Sequence, residues 1–303
     1  MQWISNRTKR MRALFILSMI IYPVAHYLLF TIYVNINTIV YAFKRWNISS
    51  GVIEWVGLHN FQEIIEKMFT EAPYKYAVQN TLLWIPLNIF VLLPLSLYAA
   101  YMFSKKIRFH NFYRIVYFFP SILSIVIITM VFSFMVSPNV GVVNAVLDAV
   151  GLESLKRSWL GDPSTALGTI FFFCVWAGIG FNAAILLGAI GRIPGDLYEV
   201  GELEGITRMK ELTKVVVPMI WPTISTLVII GTSSAFTIFL QSKLLSNGGP
   251  NYSTNTVALQ IVNLVTDGQY GTASAFGVLL AIIGGVITWI IKSLLDKTTI
   301  VEY

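Results

Sequence analysis

"STALGTIFFFCVWAGIGFNAAILLGAIG" (Ser164–Gly191) runs without one Asp, Glu, Lys or Arg, and a few residues later comes "YEVGELEGITRMKELTKVVVP" (Tyr198–Pro218), where Glu199, Glu202, Glu204, Arg208, Lys210, Glu211 and Lys214 carry charge. About 20 apolar residues suffice for a helix to cross a bilayer core, so the first stretch reads as a membrane span and the second as a polar connector. Composition agrees: 56% of the 303 residues are hydrophobic, 12% are charged, and mean hydropathy is +0.70. A soluble core could not hide that much apolar surface.

Five further uncharged runs lie within Ala13–Phe43, Thr81–Phe103, Ile115–Leu147, Val215–Ser242 and Gly268–Ile291. Together they predict a single all-α membrane domain, 1–303, of six helices near 13–40, 80–103, 113–136, 164–190, 217–242 and 269–292. The polar loop, 194–217, falls between spans four and five. A β-barrel would show short alternating segments, and the first run is too long for a cleaved signal peptide. Pro86 and Pro94 predict kinks in span two, Phe61, Ile64, Ile65 and Met68 an amphipathic surface helix before it, and Ser137-Pro138-Asn139 and Gly161-Asp162-Pro163 a folded loop after span three.

With the N-terminus in the cytoplasm, 14 of the 21 Lys and Arg fall on the cytoplasmic side and 7 on the other. The positive-inside rule then accounts for the +6 net charge without nucleic acid, and places both termini and the loop 194–217 in the cytoplasm. Lone Cys174 offers neither a disulfide nor a multi-Cys metal site, and His59 and His110 lack metal-ligand spacing. His26, alone in span one, reads as a neutral histidine bonded within its helix. Spans without acidic or basic residues lack the relays of ion-coupled transporters, and they leave a membrane-embedded enzyme only His26 and Cys174 as chemistry. No catalytic site is expected. No G-x-x-x-x-G-K-[ST] phosphate loop is present, so ATP-driven transport would require a separate ATPase.

Within the polar loop, Pro194 and Gly195 break span four, and Asp196 with Glu199 reads as a capping box opening a helix. Gly205 interrupts that helix, Thr207 caps a second one, and Pro218 marks the start of span five. Such a segment is either an amphipathic connector on the lipid surface or a knob for a protein partner. Its acidic first helix, repelled by anionic headgroups, favours the partner.

The loop resembles the E-A-A-x-x-D-G-A pattern of ATP-binding-cassette importer permeases, with Glu199, Val200 and Gly201, then Glu204, Gly205 and Ile206, and later Leu212, Val215, Val217 and Pro218. Valine and glycine stand here for both alanines. "WVGLHNF" (Trp55–Phe61), "NTL" (Asn80–Leu82), "RIVYFFP" (Arg114–Pro120), "WLGDPSTA", "NGGP" (Asn247–Pro250) and "YGTASA" (Tyr270–Ala275) follow the maltose-type and multiple-sugar permease family in order. The resemblance implies a bacterial cell-membrane subunit forming half of a carbohydrate pathway, the carbohydrate being an oligosaccharide. Its implied partners are a second, different permease, two cytoplasmic ATPases carrying ATP and Mg, and a solute-binding protein. Glu199, Gly201, Glu204, Gly205 and Pro218 would then couple to the ATPase. A permease of the same class for glycerol phosphate is the alternative.

A neutral sugar needs hydroxyl and amide partners and aromatic faces on apolar walls. Candidates are Ser121 and Ser124 in span three, Trp176, Phe181 and Asn182 in span four, and Ser233, Ser234, Thr237 and Gln241 in span five. Each could instead bond its own helix or pack against a neighbour.

Overall fold

A computed structural model describes residues 2–46, 53–105 and 108–297, with side chains from Thr8 onward. Lys106, counted above among the cytoplasmic charges, lies outside the described residues. Among those described, four helices are long and apolar enough to cross a membrane: Thr8–Ala42, Ala72–Ser104, Pro163–Ile190 and Tyr270–Asp296. Two sharply bent pairs, His110–Ile122 with Ile125–Met135 and Arg208–Met219 with Trp221–Ala235, complete six if each pair counts as one span. We number these six in chain order as spans one to six.

Contacts divide the chain into two compact units, Met1–Ile65 with Leu264–Leu279, and Glu66–Asn263 with Leu280–Tyr303. In the first unit, span one presents its apolar side chains outward, as a lipid-facing helix does. It leads into a two-stranded antiparallel ribbon, Lys44–Trp46 against Ile53–Trp55. The ribbon is a small addition to the all-α expectation, too short to leave a periodic signal. Buried Asn60 holds it by donating to Ala42 O and Lys44 O, each at 2.9 Å. The amphipathic helix expected around Phe61–Met68 forms as His59–Thr70.

The second unit contains two apolar clusters. One gathers Leu93, Ala99, Ala100, Tyr101 and Phe103 of span two, Ala183, Leu186 and Ile190 of span four, and Leu212, Val216, Ile220 and Ile224 around the start of span five. The other joins Trp84, Ile128, Phe132, Ile170, Phe173 and Ala235. Span four is one unbroken helix from Pro163, with Asp162 as its cap: the carboxylate accepts from Ser164 N at 2.8 Å and Ser164 Oγ at 2.7 Å. Those two bonds hold the Asp162 carboxyl below its usual range, so the cap weakens only as pH falls through that lowered value.

Spans two, three and five depart from the sequence reading. Span two begins at Ala72, well before Asn80, because Pro73 in its first turn and extended Glu71 start the helix early. Pro86 sits inside the helix Ala72–Leu87, and Pro94 follows a π-helical stretch, Asn88–Leu92. The same device recurs at Leu212–Val216, just before Pro218. A proline removes one amide hydrogen from the ladder, and widening the preceding turn accommodates it. Span five proper therefore begins at Trp221 and not at Pro218, after a 77° bend at Ile220. It ends at Ala235, and residues 236–239 lead to a separate short helix, Leu240–Ser246. Span three bends by 107° at extended Leu123 and Ser124, beyond Pro120.

The helix Val257–Thr266 was not anticipated. The segment before it is tied to span two: Asn80 Nδ2 donates to Ser253 O at 2.9 Å and Asn255 O at 2.8 Å, and Thr81 Oγ1 accepts from Val257 N at 2.9 Å. Asn80 is buried, and a buried group left without its partner costs about 1–3 kcal/mol. Asn80→Ala should therefore lower the unfolding temperature in detergent clearly more than Leu82→Ala, at an exposed position two residues further on. Equal shifts would show that the tie contributes nothing.

Candidate functional site

The polar loop folds as expected in outline, with one difference at its start. Its first helix is Gly195–Leu203, entered from extended Pro194, and no side chain caps it. The capping box at Asp196 and Glu199 does not form. Pro194 turns the chain one residue early, which leaves Asp196 inside the first turn, where its charge still suits the positive helix end. At the other end Gly205 adopts a φ of +66°. Gly205 N donates to Glu202 O and Ile206 N to Gly201 O, both at 3.1 Å, the paired bonds of a Schellman motif. Thr207 caps the second helix, Arg208–Glu211, accepting from Lys210 N at 3.4 Å.

Gly201 and Ile206, standing for the second and third alanines of the pattern, explain each other, while Val200 at the first is exposed. A methyl group on Gly201 would stand 2.7 Å from Ile206 Cδ1, so the missing side chain at one position makes room for the larger one at the other. The fold of the motif is kept by exchange of volume.

The loop has two faces. Its rear is apolar, with Leu212, Val216 and half-buried Tyr198 packed against the C-terminal end of span two. Burial first, then the charge of Glu211, raises the Tyr198 phenol above its ordinary range, so it stays neutral. The front exposes Glu199, Glu202 and Glu204 beside Val200, Met209 and Leu203, the last 88% exposed. Covering a leucine fully is worth about 1.5–3 kcal/mol, which makes this face suited to contact.

In the same unit a cavity of about 370 Å³ lies where spans two to five meet, and Ser121, Phe181, Ser234 and Gln241 line it. Trp176 lines a neighbouring, almost wholly apolar cavity of about 580 Å³. Asn182, Ser233, Thr237 and Ser124 line neither. Asn182 and Ser233 stand next to the lining residues Phe181 and Ser234, about 100° round the same helices, and Ser124 and Thr237 fall at or just beyond the breaks in spans three and five. Several hydroxyls are also engaged locally: Ser121 Oγ donates to Phe118 O and Ser234 Oγ to Ile230 O, each at 2.8 Å, and Thr237 Oγ1 to Ser234 O at 3.1 Å.

Trp84 and Asn88 of span two also line the cavity, and sequence reasoning passed over them. The indole Nε1 of buried Trp84 has no hydrogen-bond partner among the described residues. The available signal was a lone amide, Asn88, between Pro86 and Pro94 in an otherwise apolar run. No Asp, Glu, Lys, Arg or His lines this cavity. Gly231 admits the Asn88 amide, because a methyl group there would collide with Asn88 Oδ1. Gly231→Ala should push that amide out of place and reduce transport at least several-fold at normal protein levels. Adding Asn88→Ala should relieve the clash without restoring affinity, so KM stays raised.

Residues 92–301 match the family described as the inner membrane component of binding-protein-dependent transport systems. The diacetylchitobiose uptake system permease protein NgcF of Streptomyces coelicolor is 30% identical over 284 residues, 89% of this chain and 79% of that protein. The multiple sugar-binding transport system permease protein MsmF of Streptococcus mutans is 28% identical over 249 residues, 82% of this chain and 83% of that one. Among solved structures, a chain of a bacterial importer of the acidic polysaccharide alginate superposes with a TM-score of 0.83 at 23% identity, covering 97% of this chain and 99% of its own. That likeness concerns the fold.

Proposed function

Because the chain belongs to the inner membrane components of binding-protein-dependent transport systems, we infer that it forms half of a translocation pathway for a neutral oligosaccharide. It is a multi-pass transport subunit and not an enzyme. ATP and its Mg are assigned to a separate ATPase, present in two copies, that receives the front of the loop 194–217. A second, different permease would supply the other half of the pathway, and a solute-binding protein would deliver the cargo. The excess of Lys and Arg on one side supports cytoplasmic termini and a cytoplasmic loop.

The cavity walls carry the reading of the cargo. Trp84 and Phe181 offer aromatic faces, Asn88 and Gln241 offer amides, and there is no ionisable side chain except the thiol of Cys174. A phosphate ester such as glycerol phosphate would call for Arg or Lys, whereas a saccharide is held by neutral polar groups on an apolar wall. Relatives named for diacetylchitobiose and multiple sugars support the same class.

Glu199, Gly201, Glu204, Gly205 and Pro218 are the residues assigned to coupling. Glu199 and Glu204 face outward, Gly205 sets the turn and Gly201 its packing. The test is uptake by the assembled transporter in membrane vesicles. Glu199→Lys combined with Gly205→Pro should abolish uptake and loosen the ATPase while the chain stays in the membrane, and unchanged uptake would refute the coupling role. Neutral oligosaccharides should stimulate ATP hydrolysis where glycerol phosphate does not; the reverse would exclude the carbohydrate reading.

A further inference from the structure

Lys105 follows the last residue of the helix Leu93–Ser104, at the C-terminal end of span two. Its Nζ pairs with Glu211 Oε1 at 2.5 Å, and the two side chains are 25% and 9% exposed. The same ammonium lies 4.4 Å from the centre of the Tyr198 ring and 5.7 Å from that of Tyr101. Tyr198 belongs to the first helix of the loop and Glu211 to the second, so one cation grips both arms at once. Beside it, Tyr101 Oη donates to Arg208 O at 3.1 Å. An ion pair this sheltered from water, with a cation over an aromatic face, is a stiff contact and not a surface ornament.

The other part of span two walls the cavity, through Trp84, Leu87, Asn88 and Leu92. From Asn88 to Lys105 a helix rises about 25 Å. We propose that Lys105 is a positioning residue that makes span two the arm carrying movement of the loop to the cavity wall. The inference rests on the reading that the loop receives ATP-driven motion, and adds the route by which that motion reaches the cargo. The loop's two helices meet at a glycine, Gly205, and Lys105 bridges Tyr198 on the first and Glu211 on the second. A joint clamp on Tyr198 and Glu211 makes them move with span two.

The experiment uses the transporter assembled with its ATPase and solute-binding protein in proteoliposomes, and reads solute imported per ATP hydrolysed. A change that merely destabilises the protein removes active complexes and lowers both rates alike, leaving the ratio unmoved. Lys105→Met and Tyr198→Leu should each lower the ratio about fivefold or more, within the usual range of coupling between sites, and Tyr198→Phe, which keeps the ring, should recover it. A ratio at the wild-type value in Tyr198→Leu overturns the proposal, even if Lys105→Met fails to reach the membrane. If Glu199→Lys with Gly205→Pro leaves the ATPase bound and uptake intact, the loop is not the docking site and both readings fall together. If that control uncouples while Tyr198→Leu and Lys105→Met keep the ratio, only the clamp is refuted.

Discussion

A backbone amide or carbonyl freed from its helix inside a membrane has no water to turn to, and irregular backbone survives there only beside protein or a wet cavity. This chain interrupts span three at Leu123 and Ser124 and span five at Ile220 and again after Ala235. Each interruption lies against protein or a cavity. Leu123, Ala235 and Ile238 wall the 370 Å³ cavity, and Ile220 is 3% exposed in the apolar cluster under the loop. Spans two and five are also widened before Pro94 and Pro218. Apart from an exposed π-helical stretch in span one, Tyr27–Tyr33, these distortions lie near the cavity and the loop, while span four is one unbroken helix from Pro163 to Ile190.

Close approach of backbones fixes the rest of this arrangement. Gly180 of span four lies directly on Tyr117 O and 2.9 Å, measured to the position of an added Cβ, from Phe118 Cα of span three. Gly231 of span five receives the Asn88 amide in the same manner. Small residues let helices approach where packing, and not a hydrophobic drive, must hold them together. The loop depends on the opposite principle. Its rear buries apolar side chains against span two, and its front leaves Leu203 and the three glutamates exposed.

Much of this was legible in the sequence. Uncharged runs located the spans, and charge located the loop. Gly205 and Thr207 announced their own geometry because turn and cap chemistry is local. What failed depended on neighbours. Nothing local marks Leu123 and Ser124 as a 107° corner, since the nearby signal, Pro120, lies within a helix. Asp196 reads as a cap until Pro194 is seen to start the helix earlier. Ser121, Phe181, Ser234 and Gln241 reach the cavity while Asn182, Ser233 and Thr237 do not, because which side of a helix faces the cavity is set by how the spans pack. Trp84 and Asn88 went unnoticed because their exposure to the cavity follows from how span two packs. That packing is a tertiary fact absent from any one segment.

The central claim is that the front of the loop meets an ATP-hydrolysing partner and not lipid. Leu203, 88% exposed at the end of its first helix, is the position to interrogate. A photo-crosslinking side chain placed there in the active transporter should form an adduct with the ATPase subunit, with a yield that changes when ATP is added. Adducts to lipid alone, in a transporter still importing its cargo, would contradict the account.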